Sequence, residues 1–559
     1  MKPQFSAFAI SQARVFLGLL CFLYLLNLPL FAQTFPTPDY FRRVVPRPVS
    51  PAQIPGPEGL KDFVAGGKLR LSLDDAIQLT LKNNTNVRIN QLDHENSQFA
   101  IKRAYAPFDP LFTTNYSASR STSPTISQLE GGTIVSSLNQ QSQSSYSQSY
   151  QTGTRTTINF NSSRSVSSNS FLTVNPSITS SMSFLVSQPL MRNRGLYPNR
   201  APIVIAQRSQ KQSRANFEVQ VSDSVQRAID QYWGVVQARE NLAVLRKSLE
   251  LSEATYARNK RELELGALPP LDIYRSESQV ATRRVSVIQA EYSLKQLEDD
   301  FRRTVGADLD PYIRALDLDL VQPAEPSGEL LTLDSQEALQ RALAKRPELE
   351  SLRLQLQNDD TGVRLAHNSL QPDLNFSVSY NSGGVGGNRF SDTDNDPSTP
   401  PVLISRGGLG NSLEQVGGFD FPGYGFTLRL NLPIRNRSAE ADLGSALNSK
   451  RRDLYSLRAS EQAITLEVRN AVHQLEQAKL SMAAAKIARD LGLKNLEAEQ
   501  RKYELGVSTI FFVLDAQTQL ATAEQGLLQA QVSYQRAVTA VERGTGSLLD
   551  RFRIHLAEK

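Results

Sequence analysis

Proline limits this chain most through where it does not occur. None stands between Ile203 and Leu268, and none follows Ile434 as far as Lys559. Such stretches can carry helices far longer than those of ordinary globular proteins. A helix from Ala201 to Leu263 would run ~95 Å, and one from Arg437 to Tyr503 ~100 Å, at 1.5 Å per residue. The apolar residues repeat at intervals of three and four. One seam is Val468, Ala471, Leu475, Ala478, Met482, Ala485, then Leu496 and Tyr503; another is Leu520, Ala523, Leu527, Ala530, Tyr534, Ala537 and Val541. A sustained heptad keeps one stripe against a partner helix and implies left-handed supercoiling. A plain coiled-coil rod, as in a periplasmic scaffold or adaptor, satisfies these helices taken alone.

Other segments alternate with period two. Leu374, Phe376, Val378 and Tyr380 alternate with Asn375, Ser377, Ser379 and Asn381. Tyr424, Phe426, Leu428, Leu430, Leu432 and Ile434 alternate with Gly425, Thr427, Arg429, Asn431 and Pro433. Ile178, Met182, Phe184, Val186 and Leu190 mark a third such segment, and Phe112, Thr114, Tyr116 and Ala118 a weaker fourth. A half-buried soluble sheet shows the same pattern. The length of about ten residues, apolar on one face only, also suits a tilted strand crossing an outer membrane.

The N-terminus favours the membrane. Lys2 and Arg14 precede an apolar run from Val15 to Leu30, which reads as a signal peptide over residues 1–32. The single cysteine, Cys21, lies inside that leader. The mature chain would then lack thiols, which excludes disulfides, thiol catalysis and cysteine-based metal sites. A net charge of +5, interspersed without a basic block, gives a nucleic-acid partner no support.

Four strands cannot close a barrel, and an open edge in lipid leaves backbone groups unpaired. The strands must therefore come from at least two chains, and three chains would give twelve. The Ser/Thr/Asn/Gln-rich stretch 119–177 is assigned to an external loop, although Tyr146–Tyr150 and Arg155–Phe160 have the spacing of an extra hairpin. The run Gly383–Gly387 likewise reads as an external loop.

The two halves of the chain are alike. Leu71-Ser72-Leu73-Asp74 matches Leu331-Thr332-Leu333-Asp334. Later, Gly266 matches Gly506, Gln279 matches Gln519, Ala290 matches Ala530 and Gly306 matches Gly546, without a gap. An internal duplication is expected. The expected organisation is a Pro-rich linker at 33–68, a first repeat at 69–306, a linker at 307–332, a second repeat at 333–546 and a tail at 547–559. The first repeat holds a β-hairpin at 111–190, a long helix at 201–265 and a helix at 270–305. The second holds a β-hairpin at 373–434, a long helix at 437–504 and a helix at 508–545.

These features resemble the TolC-like outer membrane efflux proteins. The likeness is carried by the two helix–hairpin–helix halves, Gln188-Pro189-Leu190, Arg346-Pro347-Glu348-Leu349, and Tyr503-Glu504-Leu505-Gly506-Val507-Ser508 followed by Leu514-Asp515-Ala516-Gln517. It covers about residues 70–546. It implies an α+β membrane protein in the cell outer membrane, a homotrimer with a twelve-stranded barrel above a long α-helical coiled-coil periplasmic tunnel. It further implies a passive conduit of a tripartite efflux or type I secretion system. An inner-membrane transporter and a periplasmic adaptor (membrane fusion protein) would dock at the inner tip, with outer-membrane lipid around the barrel.

The tips are the first candidate site. Glu264-Leu265-Gly266-Ala267-Leu268 and Glu504-Leu505-Gly506-Val507-Ser508 occupy matching places. Glycine suits a tight reversal, so these residues serve at least to turn the chain. The resemblance adds adaptor contact at Leu265, Gly266, Ala267, Leu505, Gly506, Val507 and Ser508. A second candidate is a periplasmic gate at Asp515, Phe512, Asp272 and Arg275. Three copies of Asp515 facing a narrow lumen would attract cations and repel one another. The family often has Asp-x-x-Asp here, whereas this chain has Phe512 and Asp515; an apolar constriction and an Arg275–Asp515 link are the corresponding expectations. Acids near helix N-termini are also favoured by the dipole alone. Arg429 should point into the barrel lumen.

Nothing points to catalysis. His94, His367, His473 and His555 share no motif, and GxSxG, HExxH and phosphate-loop patterns are absent. Asp392, Asp394 and Asp396 have calcium-loop spacing, but Pro397 stands where that loop needs glycine. No enzyme activity, cofactor or metal is expected.

Overall fold

The proline-free stretches become the two longest elements of the fold. The computed structural model describes residues 54, 56–125, 132–169, 172–265, 270–326, 328–391 and 402–554. The expected signal peptide, most of the Pro-rich linker and the Asp392–Asp396 triplet lie outside the described residues. In chain order the elements are β1 (Val64–Ala65), β2 (Lys68–Leu71), α1 (Leu73–Asn83), α2 (Thr85–Tyr105), β3 (Leu111–Pro124), β4 (Ile134–Ser149), β5 (Arg155–Ser167), β6 (Val174–Pro189), α3 (Leu196–Glu264) and α4 (Pro270–Val305). Then come β7 (Asp317–Leu320), α5 (Ser335–Lys345), α6 (Pro347–Ser369), β8 (Asp373–Ser391), β9 (Val402–Ser405), α7 (Leu409–Gly418), β10 (Pro422–Asn431), α8 (Arg437–Glu504) and α9 (Ile510–Thr545).

Helices α3 and α8 are 69 and 68 residues long. Helix α3 starts at Leu196, upstream of the proline-free stretch, and takes Pro198 into its first turn. Proline is tolerated there because first-turn amides have no intrahelical acceptor. Each long helix is paired along its length by two shorter ones, α2 and α4 on α3, α6 and α9 on α8. The α8–α9 seam buries Ala471, Leu475 and Ala478 against Tyr534, Ala537 and Val541, as the heptad spacing requires.

A small mixed sheet, β1-β2-β7, braces the middle of this helical array. Leu69 and Leu71 pair in parallel with Leu318 and Leu320. They pack onto Tyr232 and Trp233 of α3 and Phe301 of α4. The stretch 307–332, expected as a linker, therefore contains a strand. Its four residues, Asp317–Leu320, are too few to show a period, and their partner lies in the other half of the chain.

Four helices are tied at one point by ions. Arg346, only 6% exposed, donates to Glu467 on α8 at 2.9 Å and to the carbonyls of Arg543 and Gly544 at 3.2 and 3.4 Å. Arg543 on α9 bonds Asp223 on α3 at 2.8 Å and also pairs with Glu467. Burial opposes the charge on Arg543, but Asp223 and Glu467 outweigh it and raise its pKa. Arg346 lies just before Pro347, the first residue of α6. The Arg-Pro-Glu-Leu segment is thus a structural tie.

The main sheet runs β10-β8-β6-β5-β4-β3, antiparallel throughout, with β9 on the outer end of β8. It has six long strands, not four. Residues 134–149 and 155–167, assigned from sequence to an external loop, form the hairpin β4–β5 and sit between β3 and β6. Their Ser- and Gln-rich strands are polar on both faces over most of their length, so they lack the contrast that reveals a strand.

Gly383–Gly387 is also part of a strand, β8, and not a loop. Helix α7 lies against it so closely that a Cβ on Gly384 or Gly386 would overlap the carbonyl oxygens of Ser412 and Gly408. Strand β10 pairs with β8 only as far as Ser382. Beyond it, the Gln415 side chain of α7 takes the place of a strand: its Oε1 accepts from Val385 N–H at 2.9 Å and its Nε2 donates to Val385 C=O at 3.2 Å. Glycine appears in β8 because a helix must approach its backbone there.

Candidate functional site

The tip between α8 and α9 is built by a helix stop signal. Gly506 adopts φ +73°, and its N–H bonds the carbonyl of Tyr503 while Val507 N–H bonds that of Lys502. This pair of bonds ends the helix in a left-handed residue, which glycine takes without strain. Ser508 Oγ donates to Glu499 at 2.9 Å, and Lys502 bonds the same carboxylate at 2.7 Å. Those two hydrogen bonds, Lys502's first, hold the Glu499 carboxyl below its ordinary range.

The tip presents apolar side chains to solvent. Leu505 is 75% and Val507 78% exposed, and Leu265 at the end of α3 is 83% exposed. Gly266 and Ala267 lie outside the described residues, as does the side chain of Asp272. Phe511 and Phe512 are about half exposed and meet edge to face at 5.4 Å.

The expected gate residues are distributed along this end. Asp515 accepts from Gln519 Nε2 at 2.7 Å. The Arg275 guanidinium lies 6.0 Å from the Phe511 ring. The two helical hairpins also meet through Tyr503, whose hydroxyl donates to Glu262 Oε2 at 2.6 Å. Arg258 bonds Glu262 at 2.9 Å and lies 5.1 Å over the Tyr503 ring. The Tyr503 hydrogen bond, aided by Arg258, keeps the Glu262 carboxyl below its ordinary range.

Further along the bundle, Gln517 Nε2 donates to Thr255 at 3.3 Å, and Arg283 donates to Thr518 at 2.8 Å. Buried Asn259 donates to Ser276 at 2.6 Å. The first two contacts join α3–α4 to α9, the third joins α3 to α4, and Tyr503 joins α8 to α3. From the sequence, Tyr503 belongs to a seam and to the tip motif, with no partner across the tip. Its partner Glu262 is 241 positions away, and only the match between the two tips brings them to the same level.

At the other end, the sheet has two unlike faces. The register aligns Phe112, Tyr146, Ile158, Phe184, Tyr380 and Tyr424 in one row on one face. Tyr424 and Phe426 are 89% and 78% exposed, with Leu428 and Leu430 following on the same strand. The next row on the opposite face is Thr113, Ser145, Asn159, Ser183, Asn381 and Gly423. Cross-strand bonds run along it, from Ser145 to Asn159 at 2.7 Å and from Asn159 to Ser183 at 3.4 Å. Arg429 is exposed on that polar face, near the helix end of β10. The lateral edges, β3 and β10, lack strand partners among the described residues.

A sheet apolar on one face, polar on the other and open at both edges fits the wall of a barrel in lipid. Among the described residues, no helix is long and apolar enough to cross a membrane, and no group of three or more His, Cys, Asp or Glu could hold a metal ion.

Residues 338–547 match the model of the outer membrane efflux protein family. The chain is 22% identical over 354 residues to the outer membrane protein TolC of Vibrio cholerae serotype O1, covering 62% of this chain and 73% of that protein. It is 21% identical over 327 residues to the pyoverdine export outer membrane protein OpmQ of Pseudomonas putida, covering 57% of this chain and 60% of that one. Among solved structures, the Campylobacter jejuni CmeC outer membrane channel shares the fold, with a TM-score of 0.61, 16% identity and 87% of each chain covered. With the two-faced sheet and the long helical hairpins, these matches identify an outer membrane efflux protein domain over residues 338–547 and give the chain the fold of the TolC-like channels, placing it in the outer membrane with a periplasmic helical portion.

Proposed function

We propose that this efflux channel is a homotrimeric passive conduit of a tripartite efflux or type I secretion system, exporting small molecules or proteins across the periplasm and outer membrane. The observation that carries this reading is the sheet with two unpaired edges, apolar on one face and joined directly to the long helices. Such a sheet needs copies of itself to complete its backbone hydrogen bonds in lipid. The exposed apolar residues Leu265, Leu505 and Val507 fit a periplasmic adaptor, which would pass cargo from an inner-membrane transporter. The two matching halves of the chain, with their like order of elements, support an internal duplication.

The tip is the gate in this reading, with Asp515, Phe512, Asp272 and Arg275 around it and the Tyr503–Glu262 bond as its latch. Tyr503→Phe removes one hydrogen bond to a carboxylate, worth about 1.5 kcal/mol. That is about a tenfold shift from closed to open. Single-channel recording should show longer open times for Tyr503→Phe and Glu262→Gln, and raised conductance for Asp515→Ala and Arg275→Ala. Unchanged traces for all four would place the gate elsewhere. The latch also sets a pH dependence. Glu262 is lowered from 4.5, so the bond contributes fully above that value and is lost as pH falls through the lowered one. Opening by acid should therefore begin only below pH 4.5.

A further inference from the structure

We propose that the β4–β5 hairpin is a full part of the barrel wall and widens the outer pore, so that it admits bulky hydrophilic cargo. This rests on the barrel reading above. The hairpin is interposed in the wall, not appended to it. Strand β3 pairs with β4 from Leu111↔Ser147 to Pro124↔Ile134, and β5 pairs with β6 from Arg155↔Ser187 to Ser165↔Ser177. Without β4 and β5 the sheet has a gap two strands wide.

Near the helix end both faces of the wall continue across it. Tyr146 and Ile158 stand in the apolar row between Phe112 and Phe184, and Ser145 and Asn159 stand in the polar row between Thr113 and Ser183. Its turn is seated on the junction between sheet and helix. Gly195 N–H donates to the Thr152 carbonyl at 3.2 Å, as Gln188 Nε2 does at 3.4 Å. Gly153, at φ +85°, fits there because it lacks a Cβ, which would lie 2.8 Å from the Asn193 carbonyl oxygen and 2.9 Å from Asn199 Nδ2.

Barrel diameter grows about linearly with strand number. Six strands per copy in place of four make the wall half as wide again. Three copies at a common tilt of about 40° and a spacing of about 4.8 Å would give roughly 36 Å between backbones, against roughly 24 Å. The polar face of β3–β6 is mostly Ser, Thr, Asn and Gln, with Leu111, Val135 and Leu185 among them and one charge, Arg155, near the helix end; β8 and β10 add Asp373 and Arg429 at that same end. Away from the helix end, a wide wall of neutral hydroxyls and amides hydrogen-bonds polar cargo of either sign alike.

The test uses single cysteines in a background lacking Cys21. In the full chain, Gln141→Cys and Ser163→Cys should react with a membrane-impermeant maleimide, while Tyr146→Cys and Ile158→Cys, shielded by lipid, should not. Equal labelling at all four positions overturns the proposal, because the hairpin would then lie in water outside the wall. A second variant excises residues 123–173 and joins Thr122 to Val174 through a two-residue turn, which brings Phe112 opposite Phe184. Polyethylene-glycol maleimides of graded size are offered from outside to Thr427→Cys on the polar face of β10. The excised variant should show a size cut-off lower by about a third in diameter. An equal cut-off in the two proteins contradicts the widening even where the oligomer forms normally. A full chain that does not oligomerise overturns the barrel reading itself, and the widening with it.

Discussion

Arg346→Met should lower the resistance of the protein to urea by about 3 kcal/mol, the cost of leaving buried partners of a charged group unpaired. The guanidinium serves Glu467 on α8 and two carbonyls at the end of α9, all within 3.4 Å. Methionine fills much of the same space and satisfies none of them. Glu467 keeps Arg543, but that arginine is already shared with Asp223. Arg346→Lys should recover little, because an ammonium is a point donor and cannot span a carboxylate and two carbonyls at once. Denaturation of the purified protein in detergent measures the loss, and a cycle with Glu467→Gln isolates the pair. A midpoint within error of the parent would mean that the four helices are held by their apolar seams alone.

Gly384→Val should release α7 from the barrel wall. The added side chain falls on the Ser412 carbonyl, and neither backbone can yield without breaking the Gln415–Val385 pair or the Ser412 Oγ bond to Gly384 O at 2.9 Å. Overpacking of this kind costs about 1–3 kcal/mol, and the orphaned amide about as much again. The expected result is rapid proteolysis within 409–418 and a lower yield of assembled protein. Gly410→Ala is the control, since a Cβ there meets nothing within 4 Å. Equal protease resistance in Gly384→Val and the parent would show that α7 is not seated by the glycines.

Continuous patterns in the chain are legible in its sequence, and tertiary meetings are not. The long helices are legible because a heptad and the absence of proline are continuous signals over sixty or more residues. The strands at Leu374–Tyr380 and Tyr424–Leu430 are legible because one face is apolar and the other polar. The β4–β5 hairpin is not, since Ser and Gln stand on both of its faces and only Tyr146, Ile158 and Phe160 mark its lower part. Gly384 and Gly386 look like a loop because glycine marks a turn and a close backbone approach equally. The tip turn is foreseen from Gly506, yet the bond across the tip is not: Tyr503 and Glu262 each sit in an ordinary helical pattern, and nothing local announces their meeting. Arg346 is visible as part of a motif, but its burial against the end of α9 is a tertiary fact.

In a barrel of this kind the apolar rows of the sheet meet lipid while neighbouring copies cover its free edges. Cross-linking the detergent-extracted full chain and adding it to a planar bilayer tests this most directly. The account predicts a three-subunit species that needs detergent to remain in solution and that gives discrete conductance steps. A monomer soluble in water without detergent, and silent in the bilayer, would contradict it.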